Sequence, residues 1–307
     1  MKNRIVCWWS GGITSTVACK LGIELFGKEN CQVIMIDTDN EHPDTYRFKQ
    51  DCEKWYGLKI DTITAIGTKY NSIIDVWKKY KSLNTATGAI CSTELKRYVR
   101  EDWQKYNEYK HQVFGFEFES KEFKRAKSMS LNHPTAKGIY PLLMYGYDKN
   151  KSIEIVQEAG IEIPEMYKLG FKNNNCFGKD EESIGGCVQG GIGYWQKMKK
   201  MFPKKFNAMA DLEHELTNMR GEPVAMLTDQ SKEGKAKDKT KREHLVFLKK
   251  HPKYPNILCL DDKPEQEVKP VFECNGFCGT NDLSPRSETE KEINYEQIDK
   301  INDSTNE

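Results

Sequence analysis

Apolar residues in this chain fall in short blocks separated by polar or glycine-rich breaks. Ile5-Val6-Cys7-Trp8-Trp9 and Cys31-Gln32-Val33-Ile34-Met35-Ile36 are near-continuous apolar runs, the pattern of strands covered on both faces. Leu58 to Ile66 alternates like a third strand, and His111 to Phe118, rich in β-branched and aromatic residues, reads as a fourth. Between these runs, Thr16 to Gly22 has helical character. Pro43 to Trp55 reads as an amphipathic helix with Tyr46, Phe48, Cys52 and Trp55 facing inward, and Ile73 to Tyr80 and Thr93 to Tyr106 are further helices. Strands alternating with helices at this spacing predict an α/β fold: a doubly wound parallel sheet with helices on both faces. In such sheets ligands bind beyond the carboxyl ends of the strands.

The character changes from Tyr140-Pro141-Leu142 onward. Lys151 to Gly160 predicts a short helix, Lys168 to Gly193 is rich in glycine and asparagine, and Trp195 to Met219 is a long helical stretch interrupted near Pro203. The residues around Trp195 to Leu216 read as core packing. Gln230 to His244 is basic and holds no apolar residue except alanine, which predicts a mobile loop or a contact for a polyanion. His244 to Lys250 reads as one more helix, and the charged, serine-rich tail after Leu283 predicts disorder. The expected division is an α/β domain over 1–140, a helical cysteine-bearing extension over 141–283 and a tail over 284–307.

The first break carries the clearest chemistry. An apolar strand stops at Ser10-Gly11-Gly12 and a helix begins at once through Ile13-Thr14-Ser15-Thr16. A helix start presents free N–H groups and the positive end of the helix dipole, and here the hydroxyls of Ser10, Thr14, Ser15 and Thr16 gather at the same point. That is a cradle for an anion such as phosphate; the plainer alternative is a strand–turn–helix link whose serines cap the helix. Asp37, at the end of the second strand, falls on the same edge of the expected sheet. Composition narrows the setting without changing it: 307 residues, 30% charged and 37% hydrophobic, with net charge +1. No apolar run approaches a membrane span and the basic start lacks a signal-peptide core, so a cytoplasmic protein without a membrane partner is expected. Any nucleic-acid surface has to be local, because the overall charge is balanced.

Ten cysteines without a secretion signal point to thiol or metal chemistry rather than a disulfide framework. Cys7, Cys19, Cys31, Cys52 and Cys259 sit in apolar or helical surroundings and read as small core or surface residues. Cys91, Cys176, Cys187, Cys274 and Cys278 sit beside glycine, asparagine or charge. Two separated pairs, Cys176 with Cys187 and Cys274 with Cys278, are what a tetrahedral thiolate site needs, and four thiolates do not distinguish Zn²⁺ from [4Fe–4S]. The alternative is free cysteines in glycine-rich loops. Cys91, close to Lys96 and Arg97, is a nucleophilic thiolate, a cluster ligand or an inert helix-start residue.

Four segments in order carry a resemblance: Ser10-Gly11-Gly12-Ile13-Thr14-Ser15; Ile36-Asp37-Thr38 with His42-Pro43-Asp44-Thr45-Tyr46; Cys91-Ser92-Thr93-Glu94-Leu95-Lys96-Arg97; and Gly115-Phe116-Glu117-Phe118-Glu119-Ser120 with Arg125. Together they resemble the phosphoadenosine phosphosulfate (PAPS) reductase family of the PP-loop ATP pyrophosphatase superfamily, over Ile5 to about Glu215. The resemblance implies an adenine-nucleotide alpha-hydrolase-like fold and a nucleotide, ATP or PAPS. Ser10, Gly11, Gly12, Thr14 and Ser15 would be phosphate ligands, and Asp37 and Thr38 would lie against the nucleoside or a Mg²⁺. Arg97 and Glu119 would join the nucleotide site, while Cys91, Lys96 and Arg125 would serve the reaction. The structural alternatives are a solvated helix face for Lys96 and Arg97, and an ion pair with Glu119 or Glu122 for Arg125.

Two departures matter. Thr14 stands where the PP-loop commonly has Asp, and Glu273-Cys274-Asn275-Gly276 only loosely resembles the reductases' C-terminal Glu-Cys-Gly motif. The cysteine pairs resemble, more distantly, the iron–sulfur sulfurtransferases of DNA phosphorothioation. The implied function is nucleotide-dependent sulfur transfer or adenylyl/pyrophosphatase chemistry, with a sulfur-donor protein (a cysteine desulfurase or thioredoxin) and a nucleic-acid acceptor as implied partners. The alternatives are an authentic thiol-dependent reductase and a module that binds nucleotide or nucleic acid around a structural metal without turnover.

Overall fold

Strand β1 (Ile5–Trp9) is buried along its whole length in the computed structural model, which describes residues 4–85, 88–174, 176–240 and 242–271. Neighbours pair with it on both sides: β2 (Cys31–Asp37) and β4 (His111–Val113) run parallel to it, Cys7 lying opposite both Val33 and Val113. β3 (Ile60–Thr64) and β5 (Gly138–Ile139) complete a five-stranded parallel sheet in the order β3-β2-β1-β4-β5. The α/β doubly wound expectation is met.

Successive side chains of a strand point to opposite faces, so each apolar run feeds two cores. Cys7, Trp9, Val33, Met35 and Val113 pack under α1 (Ile13–Phe26) and α2 (Asp44–Tyr56), whose Phe48 and Cys52 are fully buried there. Trp8, Ile34, Phe114 and Phe116 face the opposite layer, which includes α3 (Ile73–Tyr80) and α4 (Tyr98–Tyr106). Beyond β4 follow α5 (Ser120–Asn132), α6 (Pro141–Tyr145) and α7 (Lys149–Glu158). The long stretch after residue 190 divides into α8 (Ile192–Met201) and α9 (Pro203–Arg220), with Pro203 at the first turn of the second helix, where its missing N–H costs nothing. Trp195, Phe206, Leu216 and Val246 belong to the same apolar cluster as Trp8 and Phe114, so one core runs across residue 140. Cys7, Cys19, Cys52 and Cys259 are buried packing residues, as expected, and Cys31 is half-buried.

Four local expectations need correction. Thr93 to Tyr106 does not start as an α-helix: Thr93–Arg97 is a π-helical turn. The fourth strand is ordered only over His111–Val113, and β5 has no apolar run to announce it. The basic stretch contains a short helix, Lys232–Ala236, capped where the Ser231 Oγ accepts the Gly234 N–H at 3.0 Å. His244 to Lys250 is not helical. Leu245–Phe247 is a strand, β7, between β6 (Leu227–Thr228) and β8 (Leu258–Cys259), because three buried residues of this type fit a sheet and are too few for a helix. The tail after Leu283 lies outside the described residues. Among the described residues no helix is long and apolar enough to cross a membrane.

A buried carboxyl fastens this small sheet to α9. Glu213 accepts the Met226 N–H at 3.1 Å and the Leu248 N–H at 2.7 Å. Complete burial outweighs those two donors and pushes the carboxyl up to about 8. In the unfolded chain it ionises near 4.5, so its contribution is full below that pH and is lost as pH rises to about 8. Within that window wild type is expected to lose stability relative to Glu213→Gln by at most about 1.4 kcal/mol per pH unit. Denaturant unfolding of both proteins across that range checks this, and parallel profiles would contradict it.

Candidate functional site

The turn after β1 lies at the carboxyl edge of the sheet, beside the exits of β2 and β4. Gly11 has φ +82°, a left-handed conformation that side chains resist, and a Cβ there would meet Thr45 Cγ2 at 2.8 Å. Gly12 caps α1 without a side-chain hydrogen bond, so the first-turn N–H groups keep their orientation toward the sheet edge. One of them, Ile13 N–H, donates to the Tyr167 hydroxyl at 3.3 Å. Gly115, just past β4, sits against this turn so closely that a Cβ would lie 2.5 Å from Ser15 Cα and 2.6 Å from its N.

The hydroxyls divide between two tasks. Ser15 Oγ accepts from Ser10 N–H at 3.0 Å and donates to Gly12 O at 2.9 Å, with Ser10 Oγ 2.9 Å away. Thr16 Oγ1 likewise donates to Gly12 O at 2.9 Å and accepts from Trp9 Nε1 at 2.8 Å. Ser15 and Thr16 therefore brace the turn. Thr14 lines a cavity of about 240 Å³ together with Gly115, Glu117, Glu119, Glu122 and Gln189. A larger cleft of about 750 Å³, between His42, Phe177, Phe202 and Lys205, lies beyond the β2 loop and includes neither the glycine turn nor the helix start.

At the exit of β2, Asp37 accepts Asp39 N–H at 2.8 Å and the Tyr46 hydroxyl at 2.9 Å. Burial, and then the nearby Glu41, push its carboxyl up. Thr38 Oγ1 donates to Glu41 Oε1 at 3.0 Å, Lys96 Nζ reaches the same oxygen at 3.2 Å, and Cys176 Sγ lies 3.8 Å from Thr38 Oγ1. Lys96 is thus no solvated face: it is buried in an ion pair with Glu41. Arg97 is buried too, stacked over the Tyr98 ring at 4.7 Å. Both are fixed by the π-helical turn, whose Glu94 holds Tyr70 at 2.6 Å, Tyr80 at 2.5 Å and Lys69 at 2.8 Å. Burial raises the Glu94 carboxyl, and these three donors outweigh it and hold it below the usual range. Such turns widen the helix locally and collect at functional positions.

Arg125 is fully buried, packed over the Phe116 ring at 4.6 Å and paired with Glu122 at 2.7 Å, the ion-pair alternative drawn from the sequence. Glu119 caps α5 at the cavity wall. Cys91 is half-buried in the short turn Ile90–Ser92, packed against the core. Cys176 and Cys187 share a neighbour in Tyr194, whose phenol is pushed up by burial first and then by the two thiols; Cys187 N–H donates to its oxygen at 3.0 Å. Cys274 and Cys278 lie outside the described residues. Among the described residues no group of three or more His, Cys, Asp or Glu is placed to hold a metal ion.

Sequence reasoning missed several residues that build the site. Asn174 Nδ2 donates to Gly11 O at 2.8 Å and to Thr45 Oγ1 at 2.9 Å, fixing the glycine turn from a segment far along the chain. Tyr167 and Gln189 arrive in the same way. Only the asparagine run beside Cys176 marked this region, and nothing in it names a partner.

A parallel sheet with a glycine turn between its central strand and a helix start, braced by hydroxyls, is the arrangement of a nucleotide-binding α/β protein of the PP-loop kind. Residues 4–177, more than half of the chain, match the family described as the phosphoadenosine phosphosulfate reductase domain, and the chain belongs to that family. It is also similar to an uncharacterized protein of Methanocaldococcus jannaschii, with 27% identity over 218 residues that cover 66% of this chain and 40% of the relative. The chain thus matches about two fifths of that protein's length.

Substituting Gly115→Ala should drive a methyl group into the backbone of Ser15. The expected result is a loss of about 1–3 kcal/mol in stability and at least tenfold weaker adenine-nucleotide binding, read by thermal unfolding and calorimetric titration. Binding at wild-type strength would show that the close approach does not shape the cradle.

Proposed function

We propose that the chain binds an adenine nucleotide at the turn after β1 and uses it for sulfur-transfer or adenylyl-transfer chemistry, with Mg²⁺-bound ATP as the nucleotide. The observation that carries this reading is the helix start at Gly12 opening beside a cavity walled by Thr14, Glu117, Glu119 and Glu122. A bare polyphosphate meets the favourable helix dipole but also the carboxylates of Glu117 and Glu119, Glu122 being paired with Arg125 and Lys121 lining the same cavity; a Mg²⁺ complex offsets those carboxylates. Mg²⁺ is commonly held by one or two carboxylates together with substrate phosphates rather than by an all-protein cage. Glu117 and Glu119 suit that role, and Thr14 in place of the usual Asp leaves it to them.

In this reaction an acceptor oxygen attacks the α-phosphorus, the new O–P bond forms and the bond to pyrophosphate breaks. Cys176, beside Thr38, then carries a persulfide taken from a persulfide donor: its outer sulfur attacks the adenylated acceptor carbon, the C–O bond to AMP breaks, and a second thiol forms a disulfide with Cys176 as the transferred sulfur leaves on the acceptor. The family description supports a second reading: a thiolate attacks the sulfonyl sulfur of PAPS, the S–O bond to the nucleotide breaks, and a second thiol releases sulfite by forming a disulfide. A thiolate-bound cluster enters neither scheme.

Purified chain is expected to bind ATP with Mg²⁺ at least tenfold more tightly than without it and to release pyrophosphate when supplied with an acceptor. Thiol-dependent sulfite release from PAPS without Mg²⁺ would replace this assignment by the second, and failure to bind either nucleotide would remove both. In the favoured reaction, Cys176→Ser should abolish sulfur transfer while leaving nucleotide affinity within about twofold; equal transfer by this variant, assayed with a persulfide donor, would exclude Cys176.

A further inference from the structure

Phe118 stands between two residues of the candidate cavity, Glu117 and Glu119, yet turns to solvent. It is 47% exposed, and its ring meets that of Phe123, itself 45% exposed, edge-to-face at 5.3 Å. Phe114 and Phe116, earlier on the same segment, are fully buried, so exposure begins where the chain reaches the cavity. Tyr147 O accepts the Phe118 N–H at 2.9 Å and so brings the exposed Tyr145 to the same edge. Clustered apolar rings left in water beside a cavity mark an interaction surface.

Charge decides which kind of partner fits it. Phe123 belongs to α5, whose one acidic residue, Glu122, is buried and paired with Arg125. Lys121, Lys124 and Lys127 lie on the exposed side of this helix. Lys121 pairs with Glu119 at 3.3 Å, whereas among the described residues neither the Lys124 nor the Lys127 ammonium has an ion-pair or hydrogen-bond partner. Residues three and four apart share a helix face, so Lys127 stands one turn from Phe123. Protein–protein interfaces are depleted in lysine. Exposed rings interleaved with unpaired lysines suit a single-stranded nucleic acid, whose bases stack on the rings while its phosphates meet the ammonium groups. A duplex keeps its bases stacked on one another and offers Phe118 nothing. Splayed, unpaired bases are a standing feature of RNA loops and ends, whereas DNA presents them only once it is unwound.

We propose that the edge formed by Phe118, Phe123, Lys124 and Lys127 binds single-stranded RNA and leads the strand to the mouth of the cavity at Glu117 and Glu119. Binding here does not depend on the nucleotide reading above, so the two fail separately.

The test uses the full chain and a labelled RNA dodecamer of mixed sequence, with affinity read by fluorescence anisotropy over a range of salt concentrations. Wild type should bind the single strand at least tenfold more tightly than the same sequence annealed to its complement, the reverse of the order that phosphate charge alone gives. Phe118→Ala combined with Phe123→Ala should weaken single-strand binding at least tenfold and duplex binding less than twofold. Lys124→Gln combined with Lys127→Gln should reduce the slope of log affinity against log salt by about 1.4. Should the aromatic pair not fold, as judged by thermal unfolding, the exposed lysine pair decides. The inference is overturned by a duplex bound as tightly as the strand, by a DNA strand of the same sequence bound more tightly than the RNA, or by strand binding that survives both pairs of substitutions. A chain that binds no RNA overturns it as well and leaves the edge to an acidic protein partner. Intact RNA binding by a chain that takes up neither ATP nor PAPS removes the functional reading alone.

Discussion

The backbone of Ser15 fills the space where a side chain on residue 115 would stand, and the mouth of the sheet is organised around that contact. Because β4 leaves the sheet through a glycine, α1 can start directly above the seam between β1 and β4. Its N–H groups then converge on the strand ends instead of pointing past them. The braces follow from the same closeness: Ser15 and Thr16 turn their hydroxyls back onto Gly12 O, which stiffens the turn without blocking the first-turn amides. A helix dipole contributes most when the anion sits on its axis within the first turn, so small displacements here carry a large electrostatic effect.

Around this rigid centre the cations are held indirectly. Lys96 and Arg97 occupy a π-helical turn whose geometry is set by Glu94 and the three donors around it. Burying a lysine is unfavourable unless an opposite charge accompanies it, and Glu41 supplies that charge from the β2 loop. The Lys96 ammonium is therefore locked to the segment that also carries Thr38, whose hydroxyl lies beside Cys176. Arg125 is committed to Glu122 and to the face of Phe116.

Much of this was legible in the residue order. The central strands could be read because a parallel sheet buries both faces, and the resulting apolar runs at Ile5 and Cys31 are unmistakable. The glycine turn could be read because a left-handed residue followed by an uncapped helix start leaves few residue choices. What could not be read has a common physical cause. β5 is two residues long and owes its pairing to β4, while β7 is set by Glu213, distant in sequence, and by the packing of Val246 and Phe247. The solvated-face alternative for Lys96 could not be dismissed from the sequence because its partner Glu41 is 55 positions away. Asn174, Tyr167 and Gln189 reach the site through tertiary contacts that leave no local periodicity. Local preference writes the elements; long-range pairing assigns the exceptions.

The recognisable family segment stops at residue 177, yet the apolar cluster under the sheet continues through Trp195, Phe206, Leu216 and Val246. The family match and the apolar core therefore follow different boundaries in this molecule. The matched portion supplies the glycine turn, but its Trp8, Phe114 and Phe116 depend on side chains from beyond residue 177 to keep water away. A chain cut at residue 177 would therefore expose the underside of the sheet to water.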